Sequence, residues 1–195
     1  MSLRLDLINS MLATTGTAKL SAEDTSHPNY VTADDILSNV LEEFASRPLW
    51  FNTTRRTLAA NSDGKVVVPS NALSCDPVDT ALDYAIRGQY LFDLSNYTDV
   101  INAPVDVEIV AELSLEDMPP IARQFVRAAA RLQYYVDQDG SGTKVQVYAQ
   151  VLANKEQELV LLNMKHTDAN FFRGKAYASF ATRRTAYDLP FTRIQ

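Results

Sequence analysis

The sequence predicts an α+β fold, an antiparallel bundle of about four helices with an inserted small antiparallel β-sheet and hairpin region. The parts of the chain at about 3–46 and 117–166 contain segments whose apolar residues recur at helical spacing. Between them, over about 49–113, short β-prone runs alternate with turn signals. The predicted organisation is a single domain over 1–167, followed by an extended C-terminal tail over 168–195.

Four helices are predicted, at about 3–14, 33–46, 117–137 and 143–166. The first ends at a glycine. The second begins after Thr32, a good N-cap residue with Asp35 in a capping-box-like position, and Pro48 ends it. The third begins near Ser114 and Asp117, with two prolines in its first turn, where proline is tolerated.

The last two helices are expected to pack as an antiparallel hairpin, because only a short Gly-Ser loop joins them. The predicted buried face of the third consists of Met118, Ile121, Ala122, Phe125, Ala129, Leu132 and Val136. The predicted inward residues of the fourth are Val145, Tyr148, Leu152, Leu159 and Leu162. Lys155 and Glu156 are expected to face outward.

The β region is predicted from local signals. Residues 49–54 are aromatic and β-prone, and the turn at 61–64 precedes a short strand at 65–69. Residues 84–92 indicate two short strands around a glycine turn, and 105–110 alternate with period two.

Composition limits the class of protein. The 195 residues are 46% hydrophobic and 22% charged, which is typical of a globular domain. A net charge of −6 argues against long-range attraction to nucleic-acid phosphates. The single cysteine, Cys75, suits a reducing compartment. The N-terminus is not a signal peptide, and no apolar run approaches the ~20 residues of a membrane span, so no membrane association is expected.

We find no pattern typical of a catalytic, metal or cofactor site. The two histidines, His27 and His166, have no second ligand at metal-binding spacing, and no phosphate-binding loop or nucleophile elbow occurs. Cys75 is expected to be an inert thiol. The neighbouring acids are expected to lie on solvated helix faces or at a helix start; they are Asp34, Asp35, Glu42, Glu43, Glu156 and Glu158.

The tail over 168–195 differs from the rest of the chain. It holds five basic and two acidic residues, a net charge of +3, so the other 167 residues carry −9. It also holds six aromatic residues, and aromatic and arginine side chains are the usual anchors of protein interfaces. We therefore expect the tail to bind a partner; the alternatives are that it wraps its own domain or is disordered.

The order of several short segments resembles the tail tubular protein A family, the head-to-tail connector adaptors of short-tailed, podovirus-type bacteriophages. The matching segments are 7–16, 33–37, 46–53, 68–73 and 116–119. The second and third of these include the helix start Ala33-Asp34-Asp35 and the turn Arg47-Pro48-Leu49-Trp50-Phe51-Asn52. The resemblance extends over about residues 5–170.

The resemblance implies a structural virion protein, made in the host cytoplasm, that forms a dodecameric ring. The ring would bind the portal protein on one side and the tail nozzle, tubular protein B, on the other. Double-stranded DNA would pass through its lumen without being read. No enzymatic activity is expected; the alternatives are a tail-associated carbohydrate hydrolase and a generic protein-binding module.

Two sets of contact residues follow as hypotheses. The proposed portal anchors in the tail are Arg173, Arg183, Arg184, Tyr187 and Phe191. The hairpin tip at Arg87, Gly88 and Gln89 is predicted to contact a neighbouring subunit or the nozzle. Trp50 could join that contact, but a tryptophan directly after a helix usually packs under it.

Overall fold

The computed structural model describes residues 2–140 and 142–171, without the side chains of 168–171. One compact unit extends to Leu159, and a second begins at Val160. The described part of the second unit is the last stretch of a helix. The predicted domain boundary at 167/168 stays a prediction.

The predicted α+β fold is confirmed. The helices are α1 (Leu3–Leu12), α2 (Pro28–Ala45), α3 (Pro120–Gln138) and α4 (Gly142–Phe171), and a 3₁₀ turn, Ala13–Thr15, follows α1. The strands are β1 (Thr53–Leu58), β2 (Ala72–Pro77), β3 (Tyr84–Arg87), β4 (Tyr90–Asp93) and β5 (Val105–Ala111). No helix in the described part of the chain is both long enough and apolar enough to cross a bilayer.

The strands form two antiparallel sheets. β5 is the central strand of a three-stranded sheet in the order β1-β5-β2, and β3 and β4 form a separate hairpin. The alternation predicted for 105–110 places Val105, Val107 and Ile109 on one face of β5, where all three are buried. These side chains, together with Val66, Cys75 and Leu91, form the core of the β region.

A second core lies among α1, α2 and α3. Leu5, Ile8 and Leu12 recur at helical spacing and are buried against the other two helices. Gly16 ends this first segment in the left-handed conformation (φ +77°) that glycine tolerates, as its place after the predicted helix suggested.

The predicted antiparallel hairpin of α3 and α4 is confirmed by ring contacts. The Tyr135 and Tyr148 rings lie 5.3 Å apart, and the Arg131 guanidinium lies 5.1 Å from the Tyr148 ring. Of the predicted inward residues, Leu159 is buried and the other four are half-buried. Glu156 is exposed as predicted, whereas Lys155 is half-buried and pairs with Glu158 at 2.8 Å.

Two predicted helix starts were wrong. Helix α2 begins five residues earlier, at Pro28, because proline is well suited to a first helical position. Thr32 lies inside it, and its hydroxyl donates to the Pro28 carbonyl. Helix α3 begins at Pro120, since a following proline forces Pro119 into an extended conformation (ψ 150°). Ser114 and Asp117 hydrogen-bond in the preceding turn.

The predicted buried face of α3 was incomplete. Val136 is 45% exposed, whereas Tyr134 and Tyr135 are buried. A single buried stripe is expected for a helix that packs on one side only. Helix α3 instead packs against α1 and α2 on one side and against α4 on another. Tyr135 therefore lies against α4, although it is outside the predicted stripe.

Two β predictions also needed correction. Residues 49–52 form a turn, and the strand begins only at Thr53. Residues 65–69 form isolated bridges, Ala60 with Val66 and Val67 with Tyr90, so they run beside β4 without making a regular strand. The hairpin at 84–92, the strand at 105–110 and the turn at 61–64 are confirmed.

We expect Gly64→Ala to destabilise the protein by about 3 kcal/mol, measured by urea unfolding. Gly64 has φ +75°, and a Cβ there would overlap the Asn102 side chain. The backbone cannot move aside easily, because the Gly64 carbonyl accepts hydrogen bonds from the amides of Ile101 and Asn102.

The matched control for this variant is Gly16→Ala. Gly16 has a similar φ of +77° but open space around the added methyl group. Its free energy of unfolding should fall by only about 1 kcal/mol, the cost of placing a Cβ on a residue in the left-handed conformation. Equal losses for the two variants would show that the overlap with Asn102 has no energetic cost.

Candidate interaction surfaces

The predicted contact residues Arg87, Gly88 and Gln89 lie at the turn of the β3–β4 hairpin. Arg87 and Tyr90 are the last cross-strand pair, and Gly88 and Gln89 form the two-residue loop. Gly88 has φ +63°, a conformation that favours glycine in tight hairpin turns. All three predicted residues are exposed.

The Arg87 side chain folds back onto two aromatic rings. Its guanidinium lies 3.7 Å from the centre of the Phe92 ring and 5.4 Å from that of Tyr97. The two rings meet edge to face at 5.3 Å. Tyr97 is 76% exposed and has φ +55°. We call Arg87, Phe92 and Tyr97 the aromatic–arginine patch.

The hairpin tip is held against a neighbouring segment. The Gln89 carbonyl accepts a hydrogen bond from the Val68 amide at 2.9 Å, and the Leu91 amide donates to the Val66 carbonyl at 3.0 Å. Lys65, in the same segment, pairs with Asp99 at 2.6 Å. This ion pair raises the pKa of Lys65 and lowers the pKa of Asp99. Main-chain hydrogen bonds to residues 66–68 therefore hold the hairpin tip in place.

Arg87 was predicted from the sequence as a contact residue, but its two ring partners were not. Arg87 is paired directly with Tyr90, and Phe92 is the diagonal neighbour on the same face of the hairpin. The two-residue loop could have predicted this register and so have identified Phe92. Tyr97 lies beyond β4, in the turn that the bridge between Asp93 and Thr98 closes.

Trp50 packs against the helical core, the interpretation favoured from the sequence. It is half-buried, and its ring meets Phe51 edge to face at 4.9 Å. The proposed tail anchors, Arg173 to Phe191, lie outside the described residues.

The neighbouring acids do not form a carboxylate pair suited to hydrolysis. Arg47 lies within ion-pair distance of Glu43 (3.6 Å) and Glu156 (3.2 Å), and Asp34 pairs with Arg4 at 2.5 Å. Within residues 2–140 and 142–167, no group of three histidine, cysteine or acidic side chains could hold a metal ion.

Cys75 lies in the β core and is 2% exposed. Its burial, with a smaller effect of Asp76, raises the pKa of the thiol to about 11. A thiolate is the nucleophilic form of cysteine, so this thiol is unreactive near neutral pH.

Two similarities to known proteins extend over most of this fold. A family model described as "Tail tubular protein" matches residues 5–170, a range that begins in α1 and ends in α4. The chain is also similar to Tail tubular protein A of Klebsiella phage KP34. The two are 29% identical over 157 residues, which cover 80% of this chain and 84% of the relative.

We expect the native Cys75 thiol to react with Ellman's reagent at pH 8 at least about 100-fold more slowly than the unfolded chain. A pKa of about 11 in place of 9.0 leaves roughly one hundredth of the thiolate, and burial also blocks access. The chain in guanidinium chloride gives the reference rate, and Cys75→Ser gives the background. Similar rates before and after unfolding would contradict the buried position.

Proposed function

We propose that this chain, which belongs to the tail tubular protein family, is the adaptor-ring subunit that links a phage portal to the tail nozzle. It is a structural protein of a phage tail, and so a component of the virion. The observation that supports the finer proposal is the match over residues 5–170, which includes every described strand and most of all four helices.

In this proposal copies assemble head to tail into a closed ring, with twelve as the number that the family resemblance implies. Such a ring needs two different complementary surfaces on each subunit. Double-stranded DNA passes through the lumen during ejection without specific binding. Outside the tail the chain carries −9, and an acidic surface does not hold phosphates.

The portal contact is assigned to the basic tail, through Arg173, Arg183, Arg184, Tyr187 and Phe191. Its charge of +3 and its aromatic residues suit an acidic partner surface. The hairpin tip at Arg87, Gly88 and Gln89 is assigned to a neighbouring subunit or the nozzle. Exposed arginine and aromatic side chains, as in the aromatic–arginine patch, are typical interface anchors.

Nothing in the described residues favours the alternative of a carbohydrate hydrolase. Such an enzyme needs two carboxyl groups facing each other across a substrate cleft. The acids singled out from the sequence instead pair with arginine or lysine, or lie exposed on helices.

We expect the chain to form a discrete ring, either alone or when mixed with the portal of the same phage. Sedimentation velocity of the two samples measures this. Truncation after Thr167 should abolish the portal complex. A full-length variant with alanine at Arg183, Arg184, Tyr187 and Phe191 tests the anchors without shortening the chain.

A chain that stays monomeric in both samples would contradict the ring. A truncated chain that still binds the portal at full strength would contradict the portal role of the tail and leave the ring intact.

We expect Tyr97→Asn and Arg87→Ala to weaken ring or nozzle assembly about tenfold, as loss of an interface anchor does. Asparagine tolerates the positive φ of Tyr97, so the variant removes the ring without straining the backbone. Val31→Asn, at an exposed apolar residue of α2, is the control. Unchanged assembly in both patch variants would exclude the patch from either interface.

A further inference from the structure

A groove lined by α1 and α3 has an apolar end and a basic end. The apolar end, a depression of about 260 Å³, is lined by Leu3, Leu7 and Pro120. The basic end, about 490 Å³, is lined by the three cations Lys19, Arg127 and Arg131 and by one acid, Asp6, so cationic charge is in excess there. Arg127 lines both ends. The groove therefore combines cationic and apolar chemistry on one surface.

The basic side chains have few partners within the described residues. Arg123, Arg127 and Arg131 recur every four residues, so they lie along one side of α3 about 6 Å apart. Lys19 and Arg127 form no ion pair or hydrogen bond there. The Arg131 Nε is buried without a hydrogen-bond partner. Unsatisfied cationic donors favour an anionic ligand.

The basic end is held in shape by a buried asparagine. The Asn9 side chain donates from Nδ2 to the Leu20 carbonyl at 3.0 Å and accepts at Oδ1 from the Leu20 amide at 2.8 Å. Asn9 is 4% exposed. These two hydrogen bonds hold the loop that carries Lys19 against α1, so the loop requires little reordering on binding.

A different surface of the same chain has the complementary chemistry. Residues 76–83, the end of β2 and the loop that leads to β3, contain three aspartates and no basic residue. Val78 and Leu82 are 46% and 38% exposed, and Asp76 and Asp83 are exposed beside them. The Val78 amide donates to the Asp106 carbonyl at 2.9 Å, which holds the segment beside the sheet.

We propose that the 76–83 segment of one copy docks in the α1–α3 groove of the next copy. Its aspartates face Lys19, Arg127 and Arg131, while Val78 and Leu82 cover the apolar end. The two surfaces differ, as a head-to-tail contact that closes a ring requires. This inference rests on the proposed ring function and names its subunit contact.

An apolar end favours this occupant over a nucleic acid. Nucleic-acid phosphates are bound by cations and by main-chain amides. They have no apolar groups that could pack against Leu3, Leu7 and Pro120. The net charge of −6 also opposes the approach of DNA, whereas the docking of one acidic segment is a local contact.

The test is sedimentation velocity of Arg127→Glu and Asp83→Arg, in whichever sample, with or without portal, the wild type forms a ring. Each reversal should weaken association at least about tenfold. An equimolar mixture of the two variants should restore it, because the reversed groove meets the reversed segment and the intact pair also remains. Restoration also shows that both variants are folded.

The matched controls make the same charge changes elsewhere. Arg56→Glu reverses an exposed arginine on β1, and Glu42→Arg reverses an exposed acid on α2. Both should associate like the wild type. Equal weakening by these controls would show a net-charge effect and overturn the contact.

Three further outcomes would overturn the inference. A wild-type ring that neither reversal weakens excludes this contact and leaves the ring proposal standing. A wild-type chain that forms no ring in either sample would contradict both the ring proposal and this contact. Tight binding of a short DNA duplex, lost in Arg127→Glu while association is unchanged, would assign the groove to phosphates.

Discussion

The fold depends on one buried asparagine where the helical region meets the β region. The Asn52 side chain accepts a hydrogen bond from the Leu49 amide (2.8 Å) and donates to the carbonyls of Ala45 (3.2 Å) and Arg47 (3.0 Å). Its own carbonyl accepts from the Ala111 amide at 2.8 Å. One residue thus satisfies the end of α2, closes the turn and joins the end of β5, groups that would be costly to bury unpaired.

Aromatic packing keeps water away from this junction. The Phe44 ring stacks on Phe125 at 5.2 Å and lies 6.4 Å from Phe51. The Arg47 guanidinium lies 5.1 Å from the Phe125 ring and also reaches Glu156 of α4. The turn between α2 and β1 therefore contacts α3 and α4 as well. This packing gives a physical reason for the aromatic residues of that turn.

The helical region and the β region each pack around their own core, and each carries surface features that are proposed to take part in association. The α1–α3 groove belongs to the helical region, whereas the 76–83 segment and the aromatic–arginine patch belong to the β region. A subunit with unlike surfaces on two separately packed regions suits cyclic assembly, since each copy can present a different surface to each neighbour.

The sequence by itself determined the α+β class, the four helices and the hairpin around Gly88, because periodicity and turn residues are local signals. It also identified Arg87 as an exposed residue at the hairpin tip. Only the tertiary structure decided that Tyr135 is buried and Val136 exposed, since α3 is contacted from two sides. It likewise brought Tyr97 onto Arg87 and aligned Lys19 with Arg127, because contacts between residues distant along the chain depend on how the elements pack.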